Sequence, residues 1–127
     1  MALMLSTHFA LSEFRCKCGK CTYGQSRFDV DGRLIQHLEA VRTHFGKPFS
    51  PNSGLRCPTY NRKIGGAPNS QHLFGRAADI AMPGHDPAEV AAWIDRQPWA
   101  SFCGLGLYNT FVHLDVRGAP TRWDNRT

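Results

Sequence analysis

Apolar residues recur at helical spacing in one segment of the chain, and glycine and proline mark the ends of two others. Leu34, Leu38 and Val41 share one face of a predicted helix over residues 33–45, and Gly46 ends it. Proline near the start and glycine or proline beyond the end favour two further helices. The predicted helices cover residues 33–45, 58–64 and 87–96, with Asp86 as the N-cap of the third, and a short helical turn is expected around residues 11–14.

Short apolar runs predict strands in the second half of the chain. One candidate covers residues 77–81. Two others, residues 105–108 and 111–116, flank Asn109 and Thr110, a spacing typical of a hairpin with a tight turn. Helices come first along the chain and an antiparallel sheet follows. The predicted fold class is therefore α+β, with a small antiparallel sheet packed against about three helices.

The length of 127 residues predicts one domain, residues 1–127. Hydrophobic residues make up 42% and charged residues 20%, which excludes a disordered chain. No apolar run approaches the roughly 20 residues that span a bilayer. The amino end lacks the basic segment of a secretory signal. We therefore expect synthesis in the cytoplasm without a signal peptide, no membrane span, and a monomer.

The net charge of +5 favours an anionic partner, such as a cell-wall polymer, a membrane surface or a nucleic acid. The basic residues are scattered, however, and no basic stripe alternates with aromatic residues. Nucleic acid is therefore not expected as a partner. A basic nucleic-acid-binding domain is kept only as a third hypothesis, and it predicts steeply salt-dependent DNA binding.

Five cysteines leave at least one thiol without a disulfide partner inside the chain. Cys16, Cys18 and Cys21 crowd into one loop, which resembles part of a zinc knuckle whose fourth ligand would be Cys57 or Cys103. A disulfide from this loop to Cys57 or Cys103 is a second alternative. Simple reduced thiols are a third alternative, and the favoured one.

Two histidines and an aspartate form the candidate chemistry. His72 precedes the predicted strand that contains Asp79, with Gly75 allowing a close turn between them, and His113 lies within a later strand. Two ring nitrogens and one carboxylate suit a zinc ion that keeps a fourth position for water. Such an open position is what a catalytic zinc requires. On spacing alone, a structural or solvated role for these residues is favoured over zinc binding.

Several motifs resemble the zinc D-Ala-D-Ala carboxypeptidase family, peptidase family M15, and most of all its short, single-domain branch of phage and bacterial cell-wall lytic proteins. The main one is Ser70-x-His72-x-x-Gly75-x-Ala77-x-Asp79, followed by Phe111-Val112-His113. The resemblance covers roughly residues 9–118. The other segments that fit are Leu11-Ser12-Glu13-Phe14, Ser53-Gly54-Leu55-Arg56, Asn61, Gly65-Gly66 and Gly104-Leu105-Gly106-x-Tyr108.

The resemblance implies a hedgehog/DD-peptidase-like α+β fold and a zinc ion bound by His72, Asp79 and His113. It also implies that Arg56 binds substrate, because the forked guanidinium suits a carboxylate or a polarised carbonyl. The alternative for Arg56 is a structural ion pair. Ser70 and Gln71 are expected to border the cleft and bind substrate, and the alternative for Ser70 is to cap a turn.

The general base departs from the family pattern. Many members carry an acidic residue where this chain has Thr110, and related zinc enzymes carry a second histidine where it has Phe111. Asp115 is the predicted substitute, because residues 113 and 115 of a strand face the same side. Two alternatives remain for Asp115: orienting a zinc ligand, or pairing with Arg117.

The resemblance therefore implies a zinc-dependent metallopeptidase that hydrolyses bonds involving D-amino acids in peptidoglycan stem peptides or crossbridges. It implies action on the cell wall, in the periplasm or outside the cell, after release from the cytoplasm by a route that does not use a signal peptide. Carboxypeptidase and endolysin-type endopeptidase activity both stay open. A non-catalytic, zinc-containing cell-wall-binding module is the alternative, since the usual acidic residue before His113 is missing.

Overall fold

A five-stranded sheet and three helices form the described part of the molecule, residues 3–127 of a computed structural model. The helices are α1 (Gly32–Phe45), α2 (Pro58–Lys63) and α3 (Pro87–Asp95). The strands are β1 (Pro51–Ser53), β2 (Ala77–Ile80), β3 (Gly104–Leu107), β4 (Val112–Asp115) and β5 (Thr121–Asp124). Short 3-10 helices cover Leu11–Phe14, Arg27–Asp29, Gln71–Phe74 and Pro98–Phe102. The α+β class and the three predicted helices are confirmed.

Local side-chain chemistry explains where α1 begins and ends. The Asp31 carboxylate accepts a hydrogen bond from the Arg33 backbone N–H (2.9 Å) and so satisfies a donor that the first turn leaves free. Gly46 ends the helix in the left-handed region at φ 68°, which glycine adopts without strain. Leu34, Leu38 and Val41 are fully buried, as their spacing predicts.

The strand order is β1-β2-β4-β3-β5. The first three pairings along this order are antiparallel, and β3 and β4 form the predicted hairpin around Asn109 and Thr110. The expectation of a purely antiparallel sheet is wrong in one respect: β5 pairs with β3 in parallel, so the sheet is mixed. The strand pattern did not indicate β1 or β5. Strand β1 has only three residues, and β5 is a short strand at the edge of the sheet.

The central strands alternate between two chemically different faces. In β4, Val112 and Leu114 join the hydrophobic core together with residues of α1 and α3, whereas His113 and Asp115 point to the other face. In β2, Ile80 belongs to the core. The period of two thus gives the sheet an apolar face under the helices and a polar face that carries the candidate chemistry.

Glycines of β3 leave room on that polar face. A Cβ at Gly106 would collide with the ring of Trp123, and one at Gly104 would collide with the carboxylate of Asp115. Strand β3 therefore contributes backbone to the sheet while side chains from β4 and β5 occupy the space above it. Among residues 3–127, the helices lack the combination of length and apolar character that crossing a membrane requires.

Candidate metal centre

The fold brings His72, Asp79 and His113 together, and we call these three residues the His/Asp site. Strand pairing sets Asp79 of β2 directly opposite His113 of β4. His72 lies in the 3-10 helix that precedes β2. This helix ends at Gly75 (φ 68°), where a Cβ would collide with the carbonyl oxygen of Asp29. All three site residues are buried.

Distances within the His/Asp site fit a tetrahedral zinc ion. One ligand atom from each residue lies within 4.8 Å of the other two. The Asp79 Oδ1 atom is 3.2 Å from His72 Nε2 and 3.2 Å from His113 Nδ1. Ligand atoms that lie about 2.0–2.1 Å from a tetrahedral zinc are separated by about 3.3 Å, close to these values.

In each histidine ring the outer nitrogen, the one that points away from Asp79, is fixed by a hydrogen-bond acceptor. His72 Nδ1 lies 2.6 Å from the carbonyl oxygen of Gly54, and His113 Nε2 lies 2.7 Å from Asp115 Oδ2. A carbonyl and a carboxylate only accept hydrogen bonds, so both outer nitrogens carry the proton. In the metal-free protein the inner nitrogens hydrogen-bond to Asp79 Oδ1, and a zinc ion that displaces their protons would find lone pairs there instead. Three electron-pair donors that face one another are the donor set of a cation site, and the residues therefore fit zinc.

Charge within the site follows from these contacts. Burial alone would raise the pKa of Asp79, but hydrogen bonds from His113 and His72 outweigh burial and hold its pKa far below the usual range. Burial would lower the pKa of His113, yet the carboxylates of Asp115 and Asp79 raise it overall. The Asp79 carboxylate is thus ionised, which suits a divalent cation.

Asp115 lies beyond the ring of His113 rather than inside the cleft. It is fully buried, and its carboxylate accepts hydrogen bonds from His113 Nε2, from the Gly104 backbone N–H (3.0 Å) and from the Arg117 guanidinium (2.7 Å). Burial opposes its ionisation, but the bonds to His113 and Arg117 hold the pKa of Asp115 far below normal. The base role of Asp115 stays a prediction, and these contacts match the two alternatives, orienting His113 and pairing with Arg117.

Arg56 borders the His/Asp site. Its Nε donates to Ser53 Oγ (3.0 Å), one terminal nitrogen donates to Asn61 Oδ1 (3.3 Å), and the other donates to Asp79 Oδ2 (3.3 Å). The side chain is 12% exposed. Three partners therefore fix the guanidinium beside a candidate metal ligand while part of it still faces the cleft.

Ser70 and Gln71 line the same cleft in different ways. The Ser70 hydroxyl accepts a hydrogen bond from the His72 backbone N–H (3.2 Å), so it caps the 3-10 helix. The Gln71 Oε1 atom is buried and has no hydrogen-bond partner among residues 3–127. A buried acceptor without a partner costs free energy, so it is suited to a donor that the protein does not itself supply.

Three aromatic residues that the sequence interpretation did not place in the site form a wall of the cleft. Trp123 Nε1 donates to Tyr108 Oη (3.0 Å), Tyr108 stacks on Phe111 (ring centroids 4.4 Å apart), and the Trp123 ring lies 5.1 Å from that of His113. The cleft has a volume of about 530 Å³. Trp123 comes from β5, which the strand pattern did not indicate, so no local signal revealed this wall.

Comparison with known proteins agrees with this chemistry. The sequence model of the family described as Peptidase M15 matches residues 7–115, which confirms the resemblance inferred from the motifs. A protein of Streptomyces albus G named zinc D-Ala-D-Ala carboxypeptidase is 32% identical over 87 residues, which represent 68% of this chain and 34% of that protein. The chain thus spans about a third of the length of that relative.

Proposed function

The chain belongs to the Peptidase M15 family, and from this premise we propose that it is a zinc-dependent peptidase. Its substrate is a peptide containing D-amino acids, as in peptidoglycan stem peptides or crossbridges. The observation that carries the proposal is the His/Asp site, whose three ligand atoms converge while acceptors hold both outer ring nitrogens. The printed name of the Streptomyces albus G relative supports the substrate class.

His72, Asp79 and His113 would hold the metal. A zinc ion in such a site supplies Lewis acidity, which lowers the pKa of a coordinated water and polarises the scissile carbonyl. The protein's part is to keep three ligands in place and one side of the site open to the cleft. The Gly54 carbonyl and the Asp115 carboxylate perform the first task, because they fix the orientation and tautomer of the two rings.

Arg56 binds and orients substrate. Its guanidinium is held by Ser53 and Asn61, so little conformational freedom remains to be lost when a ligand binds. An anionic terminal carboxylate or the developing oxyanion of the attacked carbonyl matches the remaining donors. The unpartnered Oε1 of Gln71 accepts a backbone N–H of the peptide.

Asp115 is assigned a positioning role in this proposal. Its oxygens are engaged by His113, Gly104 and Arg117, and the His113 ring separates it from the converging ligand atoms. Positioning His113 needs an ionised Asp115, which agrees with its lowered pKa. The base role predicted for Asp115 is the alternative that substitution can test.

A second candidate is a non-catalytic zinc module that binds the cell wall. The observation that favours it is the composition of the cleft: Asp79 is the only carboxylate among its described lining residues, and it is already a candidate ligand. Neither Asn109 nor Thr110 can accept a proton from water at neutral pH. The net charge of +5 would favour approach to an anionic wall under either proposal.

Hydrolysis of a defined substrate separates the candidates. The zinc-loaded chain is incubated with purified peptidoglycan and with a stem peptide ending in D-Ala-D-Ala, and free D-alanine and new amino termini are measured. We expect hydrolysis that a chelator abolishes and added zinc restores. Activity that persists after complete metal removal contradicts the zinc mechanism. Zinc-dependent sedimentation with the wall without hydrolysis favours the binding module.

The two products also distinguish the activities within the family. Released D-alanine indicates a carboxypeptidase, whereas new amino termini without free D-alanine indicate an endopeptidase. The proposal places this activity at the cell wall and treats the chain as a monomer. Sedimentation equilibrium of the zinc-loaded protein measures the oligomeric state.

A further inference from the structure

Four of the five cysteines converge outside the His/Asp site, and we call them the cysteine cluster. Cys16, Cys18 and Cys21 lie in the loop after the first 3-10 helix, and Cys57 precedes α2. Their sulfur atoms all lie within 4.8 Å of one another. Cys16 and Cys57 are buried, and the other two are half-buried. The mechanism proposed above does not use any of these thiols.

Backbone N–H groups point at three of the four sulfurs. The Cys57 N–H donates to Cys16 Sγ (3.3 Å), the Lys20 N–H donates to Cys18 Sγ (3.4 Å), and the Tyr60 N–H donates to Cys57 Sγ (3.4 Å). Hydrogen bonds from backbone N–H groups stabilise a negative charge on the acceptor more than a neutral thiol. The protein therefore surrounds these sulfurs with the donors that thiolate metal ligands require.

The loop geometry supports the convergence. Gly19 lies between Cys18 and Lys20 with φ 72°, in the left-handed region, and its N–H approaches the Cys16 carbonyl oxygen (3.5 Å). This turn reverses the chain so that residues on both sides present their sulfurs to the same space. A residue with a side chain at position 19 would adopt this conformation only with strain.

The sulfur separations fit a metal better than a disulfide. A zinc–sulfur distance of about 2.3 Å places tetrahedral sulfurs about 3.8 Å apart. The Sγ atoms of Cys57 and Cys18 are 3.9 Å apart. A disulfide would bring two sulfurs to about 2.05 Å, and the structure contains no disulfide among residues 3–127.

We propose that Cys16, Cys18, Cys21 and Cys57 bind a second zinc ion with a purely structural role. Four thiolates complete the tetrahedral coordination, so this site has no open position for water or substrate. Cys103 is not a ligand. It is buried elsewhere, and its thiol donates to the carbonyl oxygen of Trp99 (3.4 Å).

The site would fasten the amino-terminal loop to the segment that supports the His/Asp site. Cys57 directly follows Arg56, whose backbone N–H donates to the His72 carbonyl oxygen (3.1 Å). The neighbouring Leu55 N–H donates to the Phe14 carbonyl oxygen (2.8 Å). A metal bound to the cysteine cluster would therefore crosslink the loop that contains Cys16 to the segment that contains Cys57. This crosslink would limit the motion of the neighbouring Arg56.

Metal stoichiometry tests this proposal without reference to hydrolysis. The chain is purified under reducing conditions with zinc, and bound zinc per chain is measured by mass spectrometry of the metal. We expect two zinc ions per chain, and one in His72→Ala, where only the cysteine cluster remains complete. One zinc per chain that disappears in His72→Ala would overturn the proposal while leaving the proposed function intact.

Substitution of a cysteine gives the complementary result. Cys18→Ser changes a half-buried residue and should leave one zinc per chain, whereas Cys103→Ala removes a thiol outside the cluster and should retain two. If Cys57→Ser does not fold, Cys18→Ser still tests the assignment. Equal zinc content in Cys18→Ser and Cys103→Ala would contradict it.

Cobalt and thiol titration identify the ligands directly. Cobalt bound to His72→Ala should show a strong sulfur-to-metal charge-transfer band, and Cys18→Ser should weaken or remove that band. After metal removal, the unfolded chain should contain five titratable thiols, in agreement with five cysteines in the sequence. A count of three or one in protein never exposed to oxidant would indicate disulfides and overturn the proposal.

Discussion

The His/Asp site and the cysteine cluster show two ways in which this chain gathers candidate metal ligands. The His/Asp site is built on paired strands, where register holds Asp79 opposite His113, and it opens to a cleft of about 530 Å³. The cysteine cluster is built on a loop and one distant residue, and four sulfurs enclose its centre. Three ligands with an open side are typical of catalysis, and four with none are typical of structural zinc.

The comparison also shows how ligands are held. In the His/Asp site the protein fixes the rings from behind, through the Gly54 carbonyl and the Asp115 carboxylate. In the cysteine cluster the backbone donates directly to the sulfurs. In the first arrangement the paired strands hold Asp79 and His113 in place, so we expect it to keep its shape without metal. The second depends on a loop, so we expect the metal itself to contribute to order there.

Removing one ligand of the His/Asp site should have the largest effect. His72→Ala is expected to reduce hydrolysis to background, because two ligands hold zinc poorly and the cleft then contains no Lewis acid. Zinc content and D-alanine release are measured together. His85→Ala is the matched control, since His85 is half-buried and pairs with Glu89 away from the cleft. Hydrolysis by His72→Ala at the unmodified rate would contradict the assignment.

Arg56 adjoins both the His/Asp site and the cysteine cluster, so its substitution tests whether substrate binding can be lost while zinc binding is kept. Arg56→Ala should lower kcat/KM by about 10- to 100-fold, the cost of one or two charged hydrogen bonds to substrate. Zinc content should not change. Arg33→Ala is the control, because its side chain is 61% exposed and pairs only with Asp31 at the surface. Loss of zinc in Arg56→Ala would instead indicate that Arg56 supports Asp79 as a structural ion pair.

Asp115→Asn tests the support behind the His/Asp site. Loss of the negative charge should weaken zinc binding by about 10- to 100-fold, because a neutral amide fixes the tautomer of His113 less strongly than the carboxylate does. Zinc affinity is measured by competition with a chelator of known affinity, with Asp95→Asn as the exposed control. If Asp115 is the base, the result differs: zinc affinity stays unchanged and turnover alone is lost.

Trp123→Phe should have the smallest effect. The substitution keeps an aromatic ring beside His113 but removes the hydrogen bond to Tyr108 Oη. One neutral hydrogen bond is worth about 1 kcal/mol, so we expect KM to rise about fivefold with kcat and zinc content unchanged. A fall in kcat without a change in KM would place Trp123 in the chemical step rather than in the wall of the cleft.

The sequence predicted the helices because apolar spacing and helix-ending residues are read from neighbouring positions. The buried face of α1 and its end at Gly46 follow from nearby residues alone. Strand β1 contains Pro51 and only three residues, and β5 depends on pairing with a strand distant in sequence, so neither has a comparable signal. The residues proposed as zinc ligands were identified because a family motif supplied information that spacing lacks.

Long-range contacts account for what the sequence left open. Nothing local distinguishes Cys57 from Cys103 as a partner for the cysteine loop, yet only Cys57 folds beside it. Similarly, residue alternation places Asp115 on the same face as His113 but does not reveal that Gly104 and Arg117 occupy its remaining oxygens. Such choices between candidates depend on packing and become visible only in the folded chain.

The alternation within β4 couples metal binding to correct strand alignment. A shift of one residue in the pairing of β4 with β2 would turn His113 toward the hydrophobic core. Leu114 would then face the His/Asp site in place of His113. A misaligned chain would then be unable to capture the ion. Zinc binding at the His/Asp site would thus stabilise only the chain with the native strand register, and so favour it over misaligned chains.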